Sequence, residues 1–157
     1  MKLVIQRVKE AKVTRMSDKV VVGKIGLGLF VLVGFKKGDS EEDVKMLAAK
    51  LSKLRVMADE QGEDYSPERS RRMNLSINDV NGKILVVSQF TLYANTKDGN
   101  RPSFIDAEDP EKAKKLYDFF IEKLREQKID IETGSFGDYM KIDAILDGPV
   151  TIVYETS

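Results

Sequence analysis

Apolar and polar positions divide this chain into short runs with strand-like spacing at both ends and two longer stretches with helical spacing between them. Leu3 to Val8, Ala11 to Thr14 and Val20 to Val22 read as strands, followed by the continuous apolar run Leu29-Phe30-Val31-Leu32-Val33, with Gly23, Gly26, Gly28 and Gly34 as punctuation. Val44, Leu47, Ala48, Leu51 and Leu54 then recur with helical periodicity behind Asp39 and Ser40, either of which suits an N-cap. The run Ile84 to Leu92 predicts another strand. Asp109-Pro110 opens a second helix, with a cap and a proline at its first position, and Ala113, Leu116, Tyr117, Phe120 and Leu124 form its apolar stripe. Met140, Ile142, Ala144 and Leu146 alternate with Lys141, Asp143 and Ile145, the pattern of a strand with one well-buried face, and Val150 to Tyr154 predicts the final strand. Strands dominate and two helices suffice to cover one side of them, so the expected class is α+β.

Composition narrows the chemistry. A chain of 157 residues without repeats, low-complexity tracts or a Gly/Ser/Pro-rich linker is expected to form a single domain over 1–157. Met1 to Arg7 lacks the apolar stretch of a signal peptide, and no segment approaches the roughly 18 apolar residues that span a membrane. The expectation is a soluble cytoplasmic protein. There is no cysteine and no histidine, which removes disulfides, thiolate catalysis, imidazole bases and the usual zinc sites. A hydrolase built from this alphabet must take its proton acceptor from carboxylates, lysine, tyrosine, backbone, water or the substrate. The 26 basic residues balance 26 acidic ones, so no global positive field draws in nucleic acid.

Two segments stand out from this background. In Asp147-Gly148-Pro149-Val150-Thr151, a glycine-proline step separates two apolar runs, and proline has no N–H to give a sheet ladder. Alone it fits a hairpin corner or the start of an edge strand as well as a rigid element aimed at a ligand. Ser88-Gln89-Phe90-Thr91-Leu92 closes the apolar run Ile84-Leu85-Val86-Val87 with polar residues. If the strand continues, Gln89 and Thr91 share one face and Ser88, Phe90 and Leu92 the other, which either lines a small polar pocket or brings a half-buried strand to the surface.

Together these segments resemble the signatures of the D-aminoacyl-tRNA deacylases, chirality-proofreading enzymes first known for acting on D-tyrosyl-tRNA. The resemblance covers nearly the whole chain: Gln6-Arg7-Val8, Gly26-Leu27-Gly28-Leu29, Met73-Asn74-Leu75-Ser76, Arg101-Pro102-Ser103-Phe104 and Gly134 to Met140 stand in the family's order and spacing. It implies two packed β-sheets with a helical layer, in a homodimer acting on the aminoacylated 3′ end of tRNA; with no histidine or cysteine and no carboxylate cluster in either motif, neither a cofactor nor a catalytic metal is expected. Ser88, Gln89, Phe90 and Thr91 are then the catalytic segment, which receives the terminal adenosine and its aminoacyl group. The family's glycine-proline step is cis and enters the active site of the other subunit, its two carbonyls facing the amino acid; Gly148 and Pro149 match it. Arg7 fits the residue that orients this loop, and Phe136 and Met140 fall where the family lines the pocket.

The aminoacyl ester is already activated, so an aimed water and a stabilised oxyanion matter more than a strong nucleophile. Thr91 is the obvious side-chain nucleophile, yet no histidine, adjacent lysine or adjacent carboxylate serves it. The resemblance favours backbone donors with help from the substrate's ribose 2′-hydroxyl. The segment Glu63 to Arg72, with Arg69, Arg71 and Arg72 close together, is longer than the corresponding turn in many members; it reads as an exposed loop, either touching tRNA phosphates or solvated with local ion pairs. The alternatives are an editing module of the kind on archaeal threonyl-tRNA synthetases, weakened by the full glycine-proline signature, and a non-catalytic RNA-binding module, weakened by the neutral charge.

Overall fold

The computed structural model describes residues 1–59, 72–97 and 99–156. The order of elements is β1 (Lys2–Arg15), β2 (Val20–Ile25), β3 (Gly28–Gly34), α1 (Glu41–Ser52), β4 (Met57–Ala58), β5 (Met73–Leu75), β6 (Lys83–Ser88), a 3-10 turn (Phe90–Tyr93), α2 (Pro110–Glu126), β7 (Asp130–Thr133) and β8 (Met140–Glu155). Six strands form one sheet in the order β2-β1-β3-β6-β7 with β8 on β1, and β4 pairs with β5 in a second, two-stranded sheet. The class is α+β.

β3 and β6 form the central wall. They run parallel from Gly28↔Lys83 to Val33↔Ser88, and their continuous apolar sequence follows from burial on both faces. Leu29, Val31, Val33, Ile84 and Val86 point into the core beneath the helices, while Phe30, Leu85 and Val87 point into a second cluster on the opposite face. On the helical side, α1 contributes Val44, Leu47, Ala48 and Leu51, and α2 contributes Leu116, Tyr117, Phe120, Ile121 and Leu124. Burying each large apolar side chain stabilises the fold by about 1.5–3 kcal/mol. On the other side, Val8, Ala11 and Val13 of β1 and Ile25 of β2 close over Phe30, Leu85 and Val87.

The first two expected strands are one. β1 passes through Lys9 and Glu10 without ending, but its register against β8 shifts at Val8. A one-residue slip exchanges the faces of a strand. Leu3 and Ile5 therefore enter the helical core, whereas Ala11 and Val13, of the same parity in sequence, enter the opposite cluster. The same irregularity leaves Arg7 and Val8 both buried.

Two further expectations are corrected. The last two expected strands also form one element, β8, because Asp147 to Val150 are accommodated by a register gap between Gln6↔Thr151 and Val8↔Leu146 rather than by a chain reversal. Moreover, the apolar face of β8 is not buried among the described residues: Ile142, Leu146 and Val153 are 38, 45 and 56 % exposed, because no element among those residues covers them. The segment 63–71 lies outside the described residues.

Candidate functional site

The expected strand Ile84–Leu92 stops at Ser88. The Gln89 N–H donates to the Val33 carbonyl at 2.7 Å, completing the ladder, and the chain then tightens into the Phe90–Tyr93 turn, where Leu92 N–H meets the Gln89 carbonyl at 3.3 Å and Ala94 N–H the Thr91 carbonyl at 3.0 Å. The strand alternation expected for Gln89 and Thr91 is thereby lost. A tertiary contact sets the turn: a Cβ on Gly34 would lie 2.8 Å from the Gln89 carbonyl oxygen and 3.1 Å from Leu92 Cβ, so only glycine lets the two segments approach.

The turn brings Gln89 Nε2 into hydrogen-bond contact with Thr91 Oγ1, with the amide donating to the hydroxyl oxygen. The N–H groups of Phe90 and Thr91, at the start of a 3-10 turn, have no acceptor in its i to i+3 ladder. They are donors of the kind that stabilise an oxyanion.

Ser88, Gln89 and Phe90 open onto a cavity of about 880 Å³. Val33 and Val87 contribute to its apolar lining, as do Phe136, from the segment between β7 and β8, and Met140 at the start of β8. That segment is held at several points. Gly134 N–H donates to the Val86 carbonyl at 2.9 Å, Ser135 N–H to Met140 Sδ at 3.2 Å, and Phe136 packs on Tyr117, whose hydroxyl donates to Val86 at 2.9 Å. Phe104 and Ile105 also line the cavity, with the Phe104 ring set edge-on to Phe90 at 5.0 Å between centroids. Lys37, Glu108, Asp138 and Tyr139 are among its other lining residues. Burial pushes the Glu108 carboxyl up, but the hydrogen bond from Lys112 Nζ at 2.7 Å and that from Asp109 N–H outweigh it and hold the group below the usual carboxylate range. Among the described residues, no three or more acidic side chains gather as a metal site requires.

The structure thus brings Ser88, Gln89, Phe90, Phe136 and Met140 together, with Thr91 behind Gln89. It does not bring Arg7, Gly148 and Pro149 to the same cavity of the protomer. These three lie together where β1 and β8 lose register. The Gly148–Pro149 peptide bond is cis, Gly148 has φ 126°, and both residues are exposed. Arg7 is buried beside them: its Nε lies 2.9 Å from Asp147 Oδ2, and its Nη1 donates to the Val56 carbonyl at 2.9 Å.

Sequence reasoning gave no pocket role to Lys37, Phe104, Ile105, Glu108 or Tyr139. Phe104 stood in a quoted motif, and its isolated setting between Ser103 and Ile105 gave no period to read. The loop carrying it is folded back by the paired bonds of Asn95 and Ser103, each at 2.8 Å, a non-local contact.

Three comparisons bear on the chain's family and fold. Residues 4–155 match the family model described as D-Tyr-tRNA(Tyr) deacylase. A D-aminoacyl-tRNA deacylase of Limosilactobacillus reuteri is 52% identical over 155 residues, 99% of each chain, and one of Thermotoga petrophila is 48% identical over 157 residues, 100% of this chain and 98% of that one. Among solved structures, a c-Myc DNA unwinding element binding protein superposes with a TM-score of 0.86 at 36% identity, covering 100% of this chain and 99% of the other. A probable eukaryotic D-amino acid tRNA deacylase gives 0.80 at 17% identity over 98% and 97% of the two chains, a likeness of fold. The chain belongs to the D-Tyr-tRNA(Tyr) deacylase family and is a hydrolase of the aminoacyl-tRNA ester bond.

Proposed function

We propose that the protein works in the cytoplasm as a homodimer that releases D-amino acids and glycine from tRNA and rejects L-aminoacyl-tRNA by steric exclusion. The observation that carries this reading is the separation of two half-sites. Gly148 and Pro149 do not line the cavity at Ser88, Gln89 and Phe90, so on this reading it needs a stereochemical gauge from elsewhere, and they stand exposed on a strand whose apolar residues Ile142, Leu146 and Val153, also exposed, need cover. A two-fold partner supplies both needs, since an isologous interface sends each protomer's segment to the other's cavity.

In this reading the terminal adenosine and its aminoacyl group enter the cavity between Phe136 and Met140 on one wall and Phe90 on the other. The Phe90 and Thr91 amides, with Ser88 and Gln89, stabilise the oxyanion that forms as water attacks the ester carbonyl; one such donor contributes about 3 kcal/mol to the transition state. The ribose 2′-hydroxyl of the substrate aims the water. The Gly148 and Pro149 carbonyls of the other subunit stand at the α-carbon, colliding with an L side chain and leaving the D direction open.

A pocket that recognised each D side chain would discriminate sharply among them. Exclusion predicts the reverse. Purified protein should free amino acid from D-tyrosyl-tRNA, D-aspartyl-tRNA and glycyl-tRNA at comparable kcat/KM, and should leave L-tyrosyl-tRNA at least about 100-fold slower. Slow turnover of glycyl-tRNA together with preference for a single D side chain overturns the exclusion mechanism, and no release from D-tyrosyl-tRNA overturns the reading as a whole.

A further inference from the structure

The register gap in β8 contains a charge to which the reading above gives no task. Opposite Arg7, the pairing with β1 passes from Gln6↔Thr151 to Val8↔Leu146, so residues 147–150 have no ladder partner to fix them. The Arg7 side chain is 5 % exposed, and a buried guanidinium needs a counter-charge. Asp147 Oδ2, at 2.9 Å from Arg7 Nε, supplies it; the N–H points off this line, so the contact is ionic rather than a hydrogen bond. Arg7 Nη1 is bound to the carbonyl of Val56, a residue buried in the helical core between α1 and β4. Arg7 Nη2 faces Gly148, 3.6 Å from where a Cβ on that glycine would stand.

We propose that Asp147 is a positioning residue for stereochemical discrimination: with the Val56 carbonyl it grips the Arg7 guanidinium from two sides, and so ties the Gly148–Pro149 segment to the core. This rests on the reading of Gly148 and Pro149 as the element that rejects L residues. The carboxylate adjoins that segment in sequence, so segment and anion move as one body, while Val56 anchors the cation to the packed interior. Without the charge, Arg7 keeps its Val56 bond and loses its hold on the segment, which otherwise lacks ladder bonds. Discrimination by collision tolerates no such play, because a displacement of about 1 Å at a reacting centre costs on the order of 10²-fold.

Asp147→Asn keeps shape and removes charge. Expected are a kcat/KM on D-tyrosyl-tRNA within about threefold of wild type, a rise of about tenfold or more on L-tyrosyl-tRNA, and recovery of most of the selectivity in Asp147→Glu. A merely structural role would lower both substrates together. Pro149→Ala run in parallel separates the two ideas. If it raises hydrolysis of L-tyrosyl-tRNA while Asp147→Asn leaves the ratio of L to D rates at the wild-type value, the role of Asp147 is overturned and that of Gly148 and Pro149 stands. If neither variant changes the ratio, both fall. Should Asp147→Asn fail to fold, Asp147→Ser, which also lacks the charge, decides in its place: a rise in the ratio of L to D rates supports the proposal, and a ratio at the wild-type value overturns it.

Discussion

At the scale of single residues, the arrangement of Gln89 and Thr91 bears on the chemistry. Thr91 Oγ1 accepts from the Gln89 amide, so one of its lone pairs is engaged, and neither a carboxylate nor a lysine is its partner in that contact. On the substrate-assisted route proposed above, Thr91 is not the nucleophile. Thr91→Ala is therefore expected to keep kcat within about tenfold of wild type, while a tRNA ending in 2′-deoxyadenosine should be hydrolysed about 10²-fold more slowly. Single-turnover kinetics on the two substrates measure both effects, and an acyl-enzyme trapped on Thr91 would reverse the assignment. Gly148 makes a different kind of prediction. At φ 126° an L side chain is strained, and its Cβ would stand 2.8 Å from both Val150 N and Val150 Cγ2. Gly148→Ala should cost about 1–3 kcal/mol of stability, read as a lower denaturant midpoint with an unchanged m-value.

Elements whose boundaries depend on local chemistry were legible. α1 begins where the cap and the helical period placed it: Ser40 Oγ accepts from Asp43 N–H at 3.4 Å, and Asp43 Oδ2 accepts from Ser40 N–H at 2.9 Å. The Ser40 backbone donor, then the Ser40 hydroxyl, hold the Asp43 carboxyl below the usual range. Its folded pKa lies below the unfolded one, so this stabilisation is present above the ordinary carboxylate range and is lost as pH falls through the folded value. Ser40→Ala should destabilise by about 1 kcal/mol at neutral pH. The difference from wild type should shrink in urea melts at pH 5, 4 and 3, and a pH-independent difference would show that Asp43 takes no part. α2 was legible through Pro110 at its first position and its apolar stripe, although the expected cap is not formed: the Asp109 side chain makes no capping hydrogen bond. The end of β6 was not, because Phe90 and Leu92 continue the strand period and the turn is imposed by the approach of Gly34 to Gln89. The short strands β4, β5 and β7 have too few residues to show a period, and distant partners define them. Of the residues lining the cavity, Ser88, Gln89, Phe136 and Met140 are ones the family resemblance points to, whereas Glu108 and Tyr139 reach it only through folding.

At the scale of the whole molecule, the β8 pattern that reads as one buried face is exposed among the described residues, because alternation marks an apolar face and does not say what packs on it. If a second copy covers it, each site combines the Ser88–Thr91 segment of one protomer with Gly148 and Pro149 of the other, and complementation between damaged protomers tests that wiring. Gln89→Ala damages the cavity and leaves the rejecting segment whole. Pro149→Ala does the converse and should gain hydrolysis of L-tyrosyl-tRNA. When the two are mixed and allowed to exchange subunits, every hybrid dimer pairs the intact cavity with the intact segment at one site and both damaged parts at the other. Adding the less active Gln89 variant should therefore suppress the L-tyrosyl-tRNA hydrolysis of the Pro149 variant, increasingly so as it comes into excess, while hydrolysis of D-tyrosyl-tRNA persists. Were each segment to serve its own protomer, the unwanted activity would stay constant per molecule of Pro149 variant whatever was added. That flat response, once light scattering and mass spectrometry show that hybrids have formed, would remove the cross-subunit arrangement and leave the exposed face of β8 to another role.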